Sequence, residues 1–141
     1  MKPTPSPGET GGFPWWLNVI VVLGALAMAT GGFIALLKPS LLVSPHDAIN
    51  GAAHIYAGYF ASRALVLAAM LLAALLFRAK GLLNSLMLLA AFIQLMDFGV
   101  DCLEGRLMVI PGVVVLDVLF FVGAARLSGF PFWRAEAWRL H

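Results

Sequence analysis

Four long runs of apolar residues, Phe13–Leu37, about Asp47–Phe77, Leu82–Val100 and about Leu107–Leu127, leave this chain few ways to fold. Each is close to or above the roughly 20 residues that an α-helix needs to cross the hydrocarbon of a bilayer. No water is at hand there for backbone N–H and C=O groups, so a spanning segment must satisfy them internally, as a helix does. Composition agrees: 62% of the 141 residues are hydrophobic and 11% are charged, where a soluble domain carries about 25% charged residues. The expectation is an all-α integral membrane four-helix bundle, with N and C termini on the same side and one domain over residues 13–131. Residues 1–12, rich in Pro, Gly and Thr, read as a disordered tail. Residues 132–141, with Trp133, Trp138, Arg134 and Arg139, read as an interfacial amphipathic segment.

Trp15 and Trp16 sit where an aromatic belt anchors a helix at the membrane interface. A cleavable signal peptide competes for the first run, with Ala25-Leu26-Ala27 or Ala27-Met28-Ala29 as its cleavage site. Its n-region would hold only Lys2 and the apolar run continues past both sites, so a membrane helix is the better reading. Lys38-Pro39-Ser40 ends that helix, and Pro45 with Asp47 opens the second, Asp47 capping free backbone N–H groups. Arg78-Ala79-Lys80-Gly81 reads as a tight basic turn, which makes the second and third helices antiparallel neighbours. Cys102–Arg106 is the next polar connection, and Pro111-Gly112 lies near the start of the fourth helix. Lys2, Arg78, Lys80, Arg126, Arg134 and Arg139 fall on one side of the membrane, Lys38 and Arg106 on the other. By the positive-inside tendency both termini are then cytoplasmic, the membrane being read as a bacterial inner membrane.

The polar residues inside the apolar runs carry the functional information. Tyr56, Tyr59 and Arg63 fall at i, i+3 and i+7 on the second helix, and Gln94, Asp97 and Asp101 repeat that spacing on the third. At about 100° per residue each set lies on one helix face. Arg63 and Asp97 both lie roughly 21–23 Å above the turn joining their helices, at 1.5 Å per residue, and are therefore level. Antiparallel packing is expected to present Arg63 to Asp97 and Tyr59 to Asp101, with Tyr56 nearer the outer surface. Asp117 falls mid-span on the fourth helix, near the level of Gln94. Ionisable groups in hydrocarbon are costly, usually face a bundle interior and mark function. Three carboxylates and one guanidinium do not neutralise, so at least one Asp is expected to be protonated or solvated.

This set suits proton transfer on a lipophilic small molecule that enters an internal pocket from the outer leaflet, by isomerisation, epoxide opening or cyclisation. Asp97, Asp101 and Asp117 are the acid–base candidates, with Arg63 holding a carboxylate or an oxyanion. Tyr56, Tyr59 and Gln94 are the candidates for binding substrate or water. The competing reading is a non-catalytic accessory or assembly subunit of a membrane complex, whose Arg63–Asp97 pair locks helices together. A proton-coupled transporter fits less well, because four helices with no internal repeat offer little for alternating access. A homo-oligomer and a larger membrane complex both stay open at this stage.

Several classes are excluded or disfavoured. A net charge of +2 with no basic run gives no footprint for nucleic acid. A single cysteine, Cys102, rules out an intrachain disulfide and a Cys-based metal cluster, and reads as an inert thiol. His46, His54 and His141 do not share a helix face, so no metal site is expected, and no cofactor motif is present. Asn50 and His54 lie on the face opposite Arg63 and suit interfacial or interhelical hydrogen bonds, while Gly51, Gly58 and Ser62 suit close helix approach.

The stretch Tyr59-Phe60-Ala61-Ser62-Arg63-Ala64-Leu65-Val66-Leu67, the basic turn after it, and Leu95-Met96-Asp97 together resemble the small four-helix DoxX-like membrane proteins. The resemblance covers roughly the last three helices. It implies a compact four-helix bundle and singles out Arg63 and Asp97, and it implies no particular activity. Tyr56, Gln94, Asp101 and Asp117 rest on spacing and depth alone.

Overall fold

The computed structural model describes residues 12–43, 50–105, 108 and 110–138. They form an all-helical bundle of α1 (Trp15–Leu37), α2 (Gly51–Leu76), α3 (Lys80–Leu103) and α4 (Ile110–Ser128), each long and apolar enough to span a membrane. Short 3-10 turns occupy Pro39–Leu41 and Ala135–Trp138. Residues 1–11 of the expected 1–12 tail, Pro45 and the Asp47 cap, Arg106, Leu107 and residues 139–141 lie outside the described residues.

Local chemistry sets the helix ends. Asn50 caps α2, its Oδ1 accepting from the Ala53 N–H at 3.0 Å. The third helix runs three residues beyond its expected end at Val100, so Asp101 and Cys102 are helical. A polar side chain removes no backbone hydrogen bond; the stop comes instead at Gly105, whose φ of 69° turns the chain out of the helix. Pro111 stands in the first turn of α4, where its missing N–H breaks no helical bond, and Gly129 at φ 73° follows the last turn. The α2–α3 turn is tighter than its sequence suggests. Lys80 and Gly81 already belong to α3, and Arg78 takes the left-handed φ of 53° that glycine usually supplies.

Two hairpins, α1–α2 and α3–α4, make the most extensive contacts, and the α2–α3 and α1–α4 seams close the ring more sparingly. The start of α1 and the end of α4 meet, since a Cβ added to Gly123 would lie 3.0 Å from Leu17 Cδ1. Leu17, Val21, Leu71, Leu83, Met87 and Phe120 form the buried centre. That centre fills only one half of the bundle. No residue of α2 before Ala61, of α3 after Ala91 or of α4 before Asp117 is buried. In the other half α1 and α2 still pack closely, but the four helices share no core. Leu23, Leu36, Val66, Val115 and Val118 are exposed on the outside, an apolar surface that suits acyl chains and not water.

Close approach of helices is made by glycines other than those expected. Gly51 and Gly58 have open space where a Cβ would stand. Ser62 turns its hydroxyl back onto its own helix, donating to Tyr59 O at 3.0 Å. The tight contacts are at Gly24 beneath the Phe120 ring, at Gly32 against Leu65, and at Gly123 beneath Met87. Small residues let backbones approach where apolar packing is the main attraction between helices in lipid.

Beyond Gly129 the chain returns along α3 and α4. Phe132 lies 5.9 Å from Phe92 and 4.8 Å from Phe121, and Trp138 stacks on Phe92 at 6.2 Å. Asn84 Nδ2 donates to Ala137 O at 2.9 Å, and Trp138 Nε1 donates to Phe132 O at 2.7 Å. The aromatic tail is thus strapped to the bundle.

Gly24→Ala should lower stability by about 1–3 kcal/mol, the usual cost of overpacking. Gly58→Ala should leave it unchanged or raise it by about 0.5–1 kcal/mol, the helix-propensity gain. Thermal unfolding in detergent compares the two; equal midpoints would mean that the Phe120 ring gives way freely.

Candidate functional site

The site is built where the shared core stops. Arg63 leaves α2 between the buried positions Ala61 and Ala64, and its Nη2 reaches Asp97 on α3, 3.2 Å from both Oδ1 and Oδ2. The guanidinium also lies over the Phe60 ring, 5.7 Å from its centroid. The pair is not sealed in, since the two side chains keep 46% and 40% of their surface exposed. In the hydrocarbon each charge keeps the other tolerable.

Below the pair, between α2 and α3, runs an open groove of about 450 Å³ lined by Arg63, Val66, Met70, Leu86, Leu89 and Ile93. From Arg63 to Met70 it extends roughly 10 Å towards the α2–α3 turn, at 1.5 Å per residue. Arg63, Val66 and Met70 are spaced i, i+3, i+7, and Leu86, Leu89, Ile93 and Asp97 continue the same kind of row on α3, so each helix presents one groove face. The internal polar pocket expected from the sequence is, in the structure, this lateral and mostly apolar groove with charge at one end.

The remaining candidates divide into two groups. Tyr56 and Tyr59 are 72% and 70% exposed, and neither side chain hydrogen-bonds a described residue. Neither lines the groove. Asp101 is half-buried one turn beyond Asp97. Gln94 and Asp117, by contrast, face inward. Gln94 continues the buried row Met87, Ala90 and Ala91 of α3, and Asp117, itself only 8% exposed, precedes the buried Phe120 and Ala124 by three and seven residues on α4. Phe92 and Phe121, with ring centroids 5.3 Å apart, fix the register of the two helices. Counting antiparallel from that contact sets Asp117 opposite Met96, within about one turn of both Gln94 and Asp97. Gln94 Oε1 and Asp117 Oδ1 are buried without a hydrogen-bond partner among the described residues.

Asp97 links the two environments. On the helix wheel it lies about 40° from Ile93, in the groove, and about 60° from Gln94, in the interior. Sequence reasoning missed the groove itself, although the spacing of Val66, Met70, Leu89 and Ile93 from the charged pair could have shown it. It also missed Asn84, the fifth residue of α3, as the anchor of the returning tail. No group of three or more His, Cys, Asp or Glu among the described residues is placed to hold a metal. The chain matches no family model, and no curated protein or solved structure is detectably similar to it.

Replacing either partner of the pair alone, as in Arg63→Leu or Asp97→Leu, should cost roughly 2.5–3.5 kcal/mol by leaving an intramembrane charge without its partner. The double replacement should recover most of that loss. A double-mutant cycle on detergent unfolding reads the coupling, and additive losses would show that the contact contributes nothing.

Proposed function

We propose that this chain is a small integral membrane enzyme that takes a lipophilic small molecule sideways from the bilayer into the α2–α3 groove. It carries out proton transfer at the molecule's polar end, in a reaction of the isomerase, epoxide hydrolase or cyclase type. The observation that carries this reading is continuity: an apolar groove open to the acyl chains ends at the Arg63–Asp97 pair. Asp97 is the general base or acid at the groove end, and Arg63 keeps it in place and binds a developing oxyanion. Asp117, on the interior side of Asp97, is the second acid–base group, with Gln94 orienting substrate or water. Asp101, one turn further out, accompanies hydration of the site. Tyr56 and Tyr59, being exposed, are assigned to the membrane interface and not to the substrate. The DoxX-like resemblance belongs to the same proposal, as do the cytoplasmic placement of both termini and the bacterial inner membrane. Arg78, Lys80, Arg126 and Arg134 at the packed end support that orientation.

A second reading has its own support. The charged pair is half-exposed and two tyrosines stand on the outside of α2, a surface that a helix of a partner protein, or a second copy, would cover. In that case the chain is an assembly subunit and the pair is structural.

One experiment separates the two. A diazirine-bearing C16 chain, capped as a methyl ester, is photolysed in membranes holding the protein, and labelled peptides are mapped by mass spectrometry. The enzyme reading expects label at Val66, Met70 and Leu89, together with conversion of a membrane-extract lipophile that Asp97→Asn abolishes without unfolding the protein. Polypeptide crosslinks at those positions, no lipophile conversion, and an intact complex in the Arg63→Leu, Asp97→Leu double variant would establish the assembly role instead.

A further inference from the structure

We infer that the molecule taken by the α2–α3 groove is uncharged and carries an oxygen acceptor, a ketone or an epoxide, to which the Arg63 guanidinium donates; this deepens the groove reading above and rests on it. Of the side chains lining the groove only Ser62 and Arg63 are polar. Ser62 donates its hydroxyl to Tyr59 O on its own helix. Arg63 engages a single nitrogen: Nη2 meets both oxygens of Asp97, whereas Nε and Nη1 donate to no described residue. The Phe60 ring lies against a face of the guanidinium, a contact that takes up none of its in-plane N–H groups. With 46% of its surface exposed, the Arg63 side chain is open to a molecule beside it.

Depth and charge narrow what can meet those donors. Arg63 stands twelve residues from the nearer end of α2, and Asp97 six residues from the end of α3. The pair is therefore at least about 9 Å along the helices from the nearer end of the bundle. The groove runs from Arg63 away from that end, further into the hydrocarbon. An N–H without an acceptor is costly there, and acyl chains supply none. Arg63 and Asp97 together carry no net charge. A carboxylate or phosphate added to the guanidinium would leave a net negative charge deep in the membrane, and an ammonium would face a like charge at the groove end. A neutral oxygen meets neither penalty and gains a charge-assisted hydrogen bond. It is also the atom on which negative charge develops when a proton is drawn from beside a ketone, or when an epoxide opens.

The test uses the full-length protein in nanodiscs of ether-linked phosphatidylcholine, whose lipids carry no carbonyl, and displacement of the diazirine methyl ester probe from the α2–α3 groove. The competitors are methyl pentadecyl ketone, heptadecane, hexadecanoate and hexadecyltrimethylammonium. The ketone should displace the probe at about tenfold lower concentration than heptadecane, the equivalent of one hydrogen bond to a charged group, and neither ion should outdo heptadecane. In the Arg63→Leu, Asp97→Leu double variant the ketone's advantage should shrink to within about twofold, with heptadecane displacing as before. The infrared stretch of the bound ketone should lie below its value in protein-free nanodiscs, and this wild-type measurement decides the matter where the double variant fails to fold. Equal displacement by ketone and heptadecane, preference for either ion, an advantage that survives the double replacement, or an unshifted carbonyl stretch would overturn the inference and leave the groove reading standing. Absence of groove labelling by the probe would remove both.

Discussion

Hydrocarbon offers no hydrogen-bond partner, and this one deficiency organises the molecule at every scale. It makes the backbone helical wherever it crosses the membrane. It then demands a local account of every polar side chain set into those helices. Most accounts close within the chain: Arg63 with Asp97, Ser62 with the Tyr59 carbonyl, and Asn84 Nδ2 with the Ala137 carbonyl. Buried oxygens of Asn18, Asn84, Gln94 and Asp117 stay without a partner among the described residues, and those of Gln94 and Asp117 lie near the level of the ion pair. That residue of unmet demand, beside an apolar groove, is what gives the chain a functional reading.

Packing and site are two aspects of one arrangement. Gly24, Gly32 and Gly123 let the helices close in, and Leu71, Leu83, Met87 and Phe120 fill the space at the end where α1 begins and α4 ends. Further along, large inward side chains give way to polar ones. On α4 the change occurs within one turn, from Phe120 to Asp117, and on α3 between Ala91 and Gln94. The charged pair therefore spans the α2–α3 seam at the upper edge of the core, beyond the last buried residue of α3, Ala91.

The features legible in the sequence are those fixed by rigid local geometry. Four apolar runs give four helices because spanning length and backbone chemistry leave no alternative. Counting residues from the α2–α3 turn sets Arg63 level with Asp97 because the helical rise is constant and the turn is short, and the two side chains do meet. Questions of which face meets which neighbour were not legible. Tyr56 and Tyr59 share a spacing with Arg63, yet α2 turns its inward face mainly towards α1, so both tyrosines end outside. Gly51 and Gly58 look like packing glycines, but nothing stands within 4 Å of where their Cβ would be. A helix can also run through a polar residue, as α3 does at Asp101, so polarity alone misplaced its end. The aromatic tail carries the composition of a membrane-surface segment, and only the partnership of Asn84 with Ala137 and of Phe92 with Trp138 reveals that it is fastened down.

A core confined to one end makes the bundle two hairpins joined at a base. The three-residue bend at Phe77–Ala79, with Arg78 in its left-handed conformation, lies at that base, the end that Leu71, Leu83 and Met87 fill. The guanidinium and carboxylate that bridge the two hairpins meet beyond the last buried apolar residue of α3, so their contact ties the hairpins together where that filling has ended.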